Sequence, residues 1–334
     1  MERAGPDRIM KGEIAVKRCV VTGAAGFIGS NLVRRLIAEG VKVTAIDDLS
    51  TGHVENLDGL LGRIHFVKGD IRDLALLREA FAGADVVFHE AALASVPRSV
   101  EDPITTNQVN IDGTLSVLMA AKEAGVRRVV YAASSSAYGD TETLPKTEDM
   151  PSSPLSPYAV QKYCGELYAK VFTRVYGLET VSLRYFNIFG PYQDPKSQYA
   201  AVVPQFIVSL MAGRQPVIYG DGEQSRDFTY VANACEANIL AASAPGASGR
   251  VFNIGCGEQF TINHLLEKLN ELIGTDTRAA YAAPRPGDVR ESLASIARAE
   301  EYLGYRPVVR FDEGLAHTVR WFLDHAAHLG GPSR

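Results

Sequence analysis

Gly23-Ala24-Ala25-Gly26-Phe27-Ile28-Gly29 decides the fold. It follows a β-branched run, Arg18–Thr22, and opens a helical stretch, Phe27–Glu39. Three glycines between a strand and a helix have separate uses. Gly23 permits a tight turn. Gly26 lets a pyrophosphate approach the helix N-terminus, where free N–H groups and the helix dipole favour negative charge. Gly29 lets helix and strand pack closely. Asp47 ends the next strand candidate, eighteen residues after Gly29, and Asp48 follows it. A carboxylate there can hold adenosine ribose hydroxyls, and a pair repels a 2′-phosphate. The pattern therefore predicts NAD rather than NADP.

Outward from this loop, short apolar runs alternate with helical stretches. The strand candidates are Arg18–Thr22, Lys42–Ile46, Ile64–Val67, Val86–His89, Arg128–Ala132 and Thr180–Tyr185. Helical patterns lie near Phe27–Glu39, Leu74–Ala82, Gln108–Ala124 and Tyr158–Tyr176. Gly40 stands where a glycine ends the first helix. Such alternation predicts an α/β fold, a doubly wound Rossmann parallel sheet. Several strands are apolar throughout, as expected when both faces are covered. After Asn187 the pattern loosens: Pro191, Pro195 and Pro204 interrupt it, and Gly220-Asp221-Gly222 reads as a turn. Ala232–Ala242 and Val251–Ile254 read as a return to the first core. Helices near Ile262–Leu272, Ile296–Leu303 and Phe311–His325 suggest a smaller C-terminal α/β lobe. The expected organisation is a loose N-terminal extension over 1–16, and an NAD-binding domain over 17–186 plus about 229–256. A substrate lobe would take about 187–228 plus 257–330.

Composition narrows the function classes. The chain has 334 residues, is 46% hydrophobic and 22% charged, and carries a net charge of -5. That is ordinary globular composition, with length enough for two lobes. No basic patch suggests nucleic acid, although a few arginines suffice for a phosphorylated small molecule. The four cysteines, Cys19, Cys164, Cys235 and Cys256, form no C-x-x-C pair. Neither a zinc site nor a disulfide framework is expected, and a cytoplasmic location is the default. Residues 1–16 lack the apolar stretch of a signal peptide, and no apolar run is long enough to span a membrane.

A second constellation carries chemistry. Tyr158 and Lys162 stand four apart on a predicted helix, hence on one face. A tyrosine is a poor base near neutral pH. Lys162 and a cationic nicotinamide would lower its pKa, and a drop of ~3 units needs about 4 kcal/mol of differential stabilisation. Tyr158 could then take a proton from a substrate hydroxyl as hydride leaves to NAD. Ser134, Ser135 and Ser136 end the fifth strand candidate, at the sheet edge where ligands bind. Any of the three could hydrogen-bond the reacting oxygen.

Together these residues resemble the extended short-chain dehydrogenase/reductase family, from about Lys17 onward. Within it the chain is most similar to UDP-hexose 4-epimerases, especially those acting on UDP-N-acetylhexosamines. The matching segments include Gly69-Asp70-Ile71-Arg72-Asp73, His89-Glu90-Ala91-Ala92, Ser95-Val96-Pro97-Arg98-Ser99, Asn110, Ser134–Gly139, Arg184-Tyr185-Phe186-Asn187, Gly220–Phe228 and Arg285–Arg290. The resemblance implies that Asp70 and Ile71 flank the adenine. It implies that Ala91, Ala92, Asn110 and Tyr185 serve the cofactor with Gly23, Gly26, Phe27, Ile28, Gly29 and Asp47. It also implies that Asn187, Arg226 and Arg285 hold the UDP part, with Asp288 at the uridine ribose. A guanidinium fork suits a diphosphate. The implied reaction is reversible C4 epimerisation of a UDP-sugar through a 4-keto intermediate, with NAD regenerated each cycle. The helices near Gln108–Ala124 and Tyr158–Tyr176 resemble the pair that makes a homodimer in this family.

Relatives with other chemistries share the scaffold. The 4,6-dehydratases carry an Asp-Glu pair just after the catalytic Ser or Thr, and the UDP-glucuronate decarboxylases a Glu. Ser135 and Ser136 occupy those slots, and serine cannot serve as a carboxylic acid. For the sugar, Ser292 stands where glucose-restricted epimerases resemble one another in carrying a bulky Tyr. A small residue leaves room for an N-acetyl group. The segment Gln198–Pro204, with Val202, resembles the N-acetyl-type enzymes. A UDP-glucuronate epimerase is a further reading, with Arg98 as the cation for the carboxylate. A non-catalytic dinucleotide sensor or a simple reductase could use the same fold. Ser295 departs from the Asp frequent in the family, and the change is expected to touch local capping.

Overall fold

The structure is a computed structural model that describes residues 16–195, 201–284 and 289–326. Seven strands form one parallel sheet. They are β1 (Arg18–Thr22), β2 (Lys42–Asp47), β3 (His65–Lys68), β4 (Val86–His89), β5 (Arg128–Ser134), β6 (Glu179–Tyr185) and β7 (Arg250–Ile254). Their spatial order is β7-β6-β5-β4-β1-β2-β3. β1 pairs with both β2 and β4, so the chain reverses its direction of travel across the sheet beside β1. Open sheets of this kind bind ligands at that switch point, beyond the strand C-termini.

Alternation explains the two covered faces. In β1, Cys19 and Val21 enter one core and Val20 the other. The first core takes Leu32, Val33, Leu36 and Ile37 of the Phe27–Ala38 helix. It also takes the alanine-rich Val231–Ser243 helix through Ala234, Ala237, Ala241 and Ala242. The second core takes Leu77, Val117, Leu118, Ala121 and Phe172 from the opposite face. Val16, the last residue of the expected extension, is buried in the first core. Gln108–Gly113 is a π-helical turn before the Thr114–Glu123 helix, where one continuous helix was expected.

A separate core lies between the Val202–Met211, Ile262–Ile273 and Phe311–Asp324 helices. The first of these was not expected, because Pro204 was read as a breaker. Pro204 sits in the helix's first turn, where its missing N–H has no partner to lose. Rings of Phe260 and Phe311 stack 4.2 Å apart at the centre of this lobe. The Ala297–Leu303 helix lies in the stretch assigned to the lobe, yet Ala299, Leu303 and Tyr305 pack into the first core. That helix begins after Ile296 with no side-chain cap, and Ser295 contributes through its backbone N–H to the Lys146 carbonyl. The expected capping effect therefore has no counterpart in its side chain.

One buried carboxylate ties the lobe to the sheet. Asp227 accepts from the backbone N–H groups of Cys256, Gly257 and Ala294, at 2.8, 3.0 and 3.2 Å. Cys256 and Gly257 lie just beyond β7. A Cβ on Gly255 would stand 2.7 Å from Asp227 Oδ2, so that close approach needs glycine. Burial raises Asp227 to about 6 against those three stabilising bonds.

Candidate active site

A cleft of about 640 Å³ opens at the C-terminal edge of the sheet. The glycine loop forms its floor. Gly23 has φ +69°, and a Cβ there would meet the Ala91 backbone at 2.7 Å. A Cβ on Gly29 would lie 2.0 Å from the Gly23 carbonyl oxygen, which fixes glycine where helix meets turn. Gly26 caps the Phe27–Ala38 helix without a side-chain bond. A Cβ on Gly26 would meet only the Gly23 oxygen within 4 Å, at 3.2 Å, so that side faces open cleft. The helix N–H groups are thus presented to the space where a pyrophosphate would lie.

Asp47 is buried, and its carboxylate is held by Ala25 N–H at 2.9 Å and Leu49 N–H at 2.8 Å. Burial nevertheless raises its pKa. Asp48 is exposed and turns back to Ser50 N–H. Asp47, Asp48, Ser50, Thr51, Gly52, His53 and Asn56 line this end of the cleft, and no Lys or Arg occurs from 47 to 56. The donor set fits NAD: an N-terminal helix cradle, a fixed carboxylate and no cation for a 2′-phosphate.

The candidate catalytic group, Tyr158, approaches from the Pro157–Tyr176 helix. Ser156 caps it by accepting from Ala159 N–H, and Pro157 supplies a favourable first turn. Ser99 Oγ accepts Tyr158 N–H at 3.0 Å. Gly165 lets the helix lie on β5, since a Cβ there would stand 2.2 Å from the Tyr131 hydroxyl. Tyr158 then faces the cleft beside Ser134, close enough for the serine hydroxyl to lower the phenol's pKa. Ser135 and Ser136 do not line the cleft, and Ser136 Oγ lies 2.8 Å from Ser134 Oγ. The geometry singles out Ser134 among the three.

Lys162 is buried behind Tyr158, its ammonium 4.7 Å over the Tyr131 ring. Burial lowers it to about 8, and Glu90 and Glu166 partly restore it. Tyr158 is pushed up to about 12 by burial, with the Ser134 hydrogen bond pulling the other way. No lowering by Lys162 accompanies these: desolvation of the phenolate sets the direction of the shift.

Other expected residues divide clearly. Phe27, Ile28, Ile71, Ala91, Ala92, Arg98, Tyr185 and Asn187 line the cleft. Asp70 does not, because Arg72 takes its carboxylate in a side-on pair. Asn110 is buried instead, accepting from Leu93 N–H at 2.8 Å and donating to Gln161 Oε1 at 2.8 Å. It braces the loop that carries Leu93 rather than facing the cleft. Arg226 Nη1 donates to the Ser225 and Arg290 carbonyls, and Ser292 pairs with Arg226 in a neighbouring short strand. Neither lines the cleft, nor does Val202, although Ala201 does. Arg285 and Asp288 lie outside the described residues.

Two groups were not singled out by sequence. His89 is buried between the hydroxyls of Thr22, at 2.8 Å, and Thr114, at 3.0 Å, and burial pushes it down to about 3. Thr114 already donates to the Asn110 carbonyl, so His89 Nε2–H donates to Thr114 and Nδ1 accepts from Thr22. Glu90, the next residue, faces the cleft. Its place directly after β4 was the available signal.

The pattern of the NAD dependent epimerase/dehydratase family matches residues 19–255. The chain belongs to that family. It is 42% identical to the UDP-glucose 4-epimerase of Mycolicibacterium smegmatis, over 91% of this chain and 98% of that one. It is 38% identical to a dTDP-glucose 4,6-dehydratase of Streptomyces griseus, over 92% and 94% of the two chains. A solved UDP-N-acetylglucosamine 4-epimerase from Methanobrevibacter ruminantium M1, in complex with UDP-N-acetylmuramic acid, superposes with a TM-score of 0.89. It shares 45% identity over 92% of this chain and 99% of that chain. Family membership makes this an NAD-dependent enzyme with a Rossmann-type sheet.

Proposed function

We propose that the enzyme interconverts the C4 epimers of a UDP-linked hexose, with UDP-GlcNAc and UDP-GalNAc as the favoured pair and UDP-Glc and UDP-Gal also accommodated. The observation that carries the reading is the Ser134–Tyr158 hydroxyl pair facing the dinucleotide cleft, with serine at both 135 and 136. Elimination of water needs an acid and a base at those two positions, and serine supplies neither. The similarity to two 4-epimerases supports the same choice over the dehydratase relative.

NAD, when bound, supplies the acceptor that takes the C4 hydrogen with its electron pair and returns it to the other face of the ketone. The chain's own groups handle the proton. Ser134 and Tyr158 hold the C4 oxygen, and Tyr158 carries the hydroxyl proton until it is given back. A phenol held near 12 becomes a useful base only when a cation enters the cleft, and an oxidised nicotinamide is one. Lys162, on the same helix, supplies a second positive charge when protonated, and Glu90 and Glu166 favour that form against its burial. Arg226, Arg285 and Asp288 remain the proposed UDP contacts, and the small Ser292 the reason an N-acetyl group fits.

The test incubates purified protein separately with UDP-GlcNAc, UDP-Glc and UDP-GlcA, without added reductant, and resolves the products by anion-exchange chromatography. The expected result is the 4-epimer, absent with Tyr158→Phe. A dehydrated or decarboxylated product would overturn the reading. A specific observation favours UDP-glucuronate as a second reading: Arg98 stands on the cleft wall, where a substrate carboxylate could meet it. Faster turnover of UDP-GlcA than of UDP-GlcNAc would select it.

We also propose a homodimer through the Pro157–Tyr176 helix. Val160, Leu167, Val171 and Val175 recur on one face of it, and all four are exposed. Sedimentation of Val171→Glu beside the unaltered protein tests this. The four free cysteines suit a reducing cytoplasm.

A further inference from the structure

Glu90 is not used by the mechanism above, yet it stands at the chemical end of the cleft. It follows β4 directly and shares the cleft wall with Ser134, Tyr158 and Tyr185. Its Oε1 lies 2.8 Å from the Tyr185 hydroxyl. That hydroxyl accepts from Asn238 Nδ2 at 2.6 Å, so its single proton is directed at Glu90. The carboxyl oxygen of Glu90 is therefore an acceptor in this arrangement, the role of the ionised form. His89 beside it is buried on two threonines and neutral. The other carboxylates on the cleft wall are Asp47, Asp48 and Asp194. Asp47 and Asp48 end β2, and Asp194 lies 3.5 Å from His53, which follows them in sequence.

The charged and titratable groups facing Glu90 come from three elements. Lys162 comes from the Pro157–Tyr176 helix, Tyr185 from β6, and Cys235 from the Val231–Ser243 helix. Asn238 of the last helix adds a neutral dipole. Lys162 and the hydrogen bond from Tyr185 favour the anion. Burial opposes them and is larger, so Glu90 titrates at about 7. Its charge therefore changes within the working pH range.

The hydride acceptor of an epimerase must reach the same carbon whose hydroxyl meets Tyr158. A carboxylate lining that end of the cleft acts on it through space. We propose that Glu90 is a positioning residue that sets the oxidation balance of the bound nicotinamide. Ionised, it favours the cationic oxidised ring over the neutral reduced one. Through Tyr185 it is held in place to do so. This inference rests on the reading of the chain as an enzyme that keeps NAD bound. Its value to such an enzyme is physical: reduced cofactor left behind without a ketone partner is a dead end, and an anion in the wall opposes that state.

The test uses the full chain with its bound cofactor. The ratio of oxidised to reduced nicotinamide is read by absorbance at equilibrium with a redox dye, for the unaltered protein, Glu90→Gln and Tyr185→Phe. At pH 8, Glu90→Gln is expected to shift the ratio about tenfold toward the reduced form, about 30 mV for a two-electron couple. At pH 5.5, where Glu90 is protonated, the shift should vanish. Tyr185→Phe keeps the charge and should shift the ratio less than threefold. A shift below twofold at pH 8, or an equal shift at both pH values, overturns the proposal. An equal shift with Tyr185→Phe overturns it too, because loss of the hydroxyl, with the Glu90 charge kept, would then suffice.

A second readout needs no cofactor. The folded carboxyl titrates above its unfolded value, so the penalty for ionisation is absent below about 4.5 and complete above about 7. Glu90→Gln should therefore gain thermal stability relative to the unaltered protein as pH rises from 5 to 8. If no such gap opens, Glu90 is not a buried acid of the cleft and the proposal falls. Unaltered protein that takes up no nicotinamide fails the parent reading, a result distinct from either of these.

Discussion

The sheet half and the C-terminal lobe place their functional side chains by different means. Parallel strands end together at one edge, so Gly23, Glu90, Ser134 and Tyr185 reach one cleft because β1, β4, β5 and β6 are neighbours in register. Among the described residues the lobe's strands have two or three residues, in sheets of two and three. Of its expected ligands, Arg226 and Ser292 stand opposite in register on two such strands and are not among the residues lining the cleft. One buried carboxylate, Asp227, helps to tie the lobe to the sheet. The proposed chemistry is thus built on the sheet half, and the lobe's proposed contribution depends on how it is held.

The largest expected effect tests the first half of that contrast. Tyr158→Phe should lower kcat by about 10²–10⁴-fold, with little change in thermal stability, because a general base is lost and the ring stays. Steady-state kinetics and calorimetry check both. If KM rises and kcat holds, Tyr158 binds rather than reacts. The next effect belongs to the lobe. Asp227→Ala orphans three buried N–H groups and should cost about 3 kcal/mol in urea unfolding. It should raise KM more than it lowers kcat. An equal loss in kcat would erase the distinction between the halves.

Ser292→Tyr is smaller. It should cut turnover of UDP-GlcNAc about tenfold relative to UDP-Glc, since pocket size discriminates only modestly. No change in that ratio would remove Ser292 from the sugar's surroundings. Smallest of all, Ser135→Ala should leave kcat within about twofold, whereas Ser134→Ala should lower it by about tenfold or more. The reverse order would overturn the assignment of Ser134.

The same contrast explains what could be read from the sequence. Strands such as Val86–His89 are legible because burial on two faces demands apolar runs, and the glycines of 23–29 because backbone contacts exclude any side chain. The Val202–Met211 helix was hidden by Pro204, since a proline's effect depends on its position in a helix whose start was unknown. The short strands pairing Ser225 with Glu291 leave no periodicity to read. Asp70 and Asn110 were placed at the cofactor by resemblance alone. Their partners, Arg72 and Gln161, are matters of rotamer and three-dimensional packing. The surroundings of Tyr158 are hidden for a related reason: Lys162 is visible four residues away, but the desolvation that raises one and lowers the other is not.

The break in the sheet between β6 and β7 has a consequence for biosynthesis. Residues 186–249, including the Val202–Met211 helix and Asp227, leave the ribosome before β7 exists to pair with β6. At roughly 5–20 residues per second, β6 waits several seconds as an open edge. During that interval it is the sheet's outer strand, with unpaired N–H and C=O groups and the apolar Val181, Leu183 and Tyr185 that the finished fold buries. The nascent chain is then most exposed to mispairing with a neighbour, and a chaperone that binds extended apolar segments would find its target there. The partners of Asp227, Cys256, Gly257 and Ala294, emerge later still. Docking of the lobe is thus a late event in synthesis, after the cofactor's half of the cleft already has its glycine loop, its ribose carboxylate and its tyrosine.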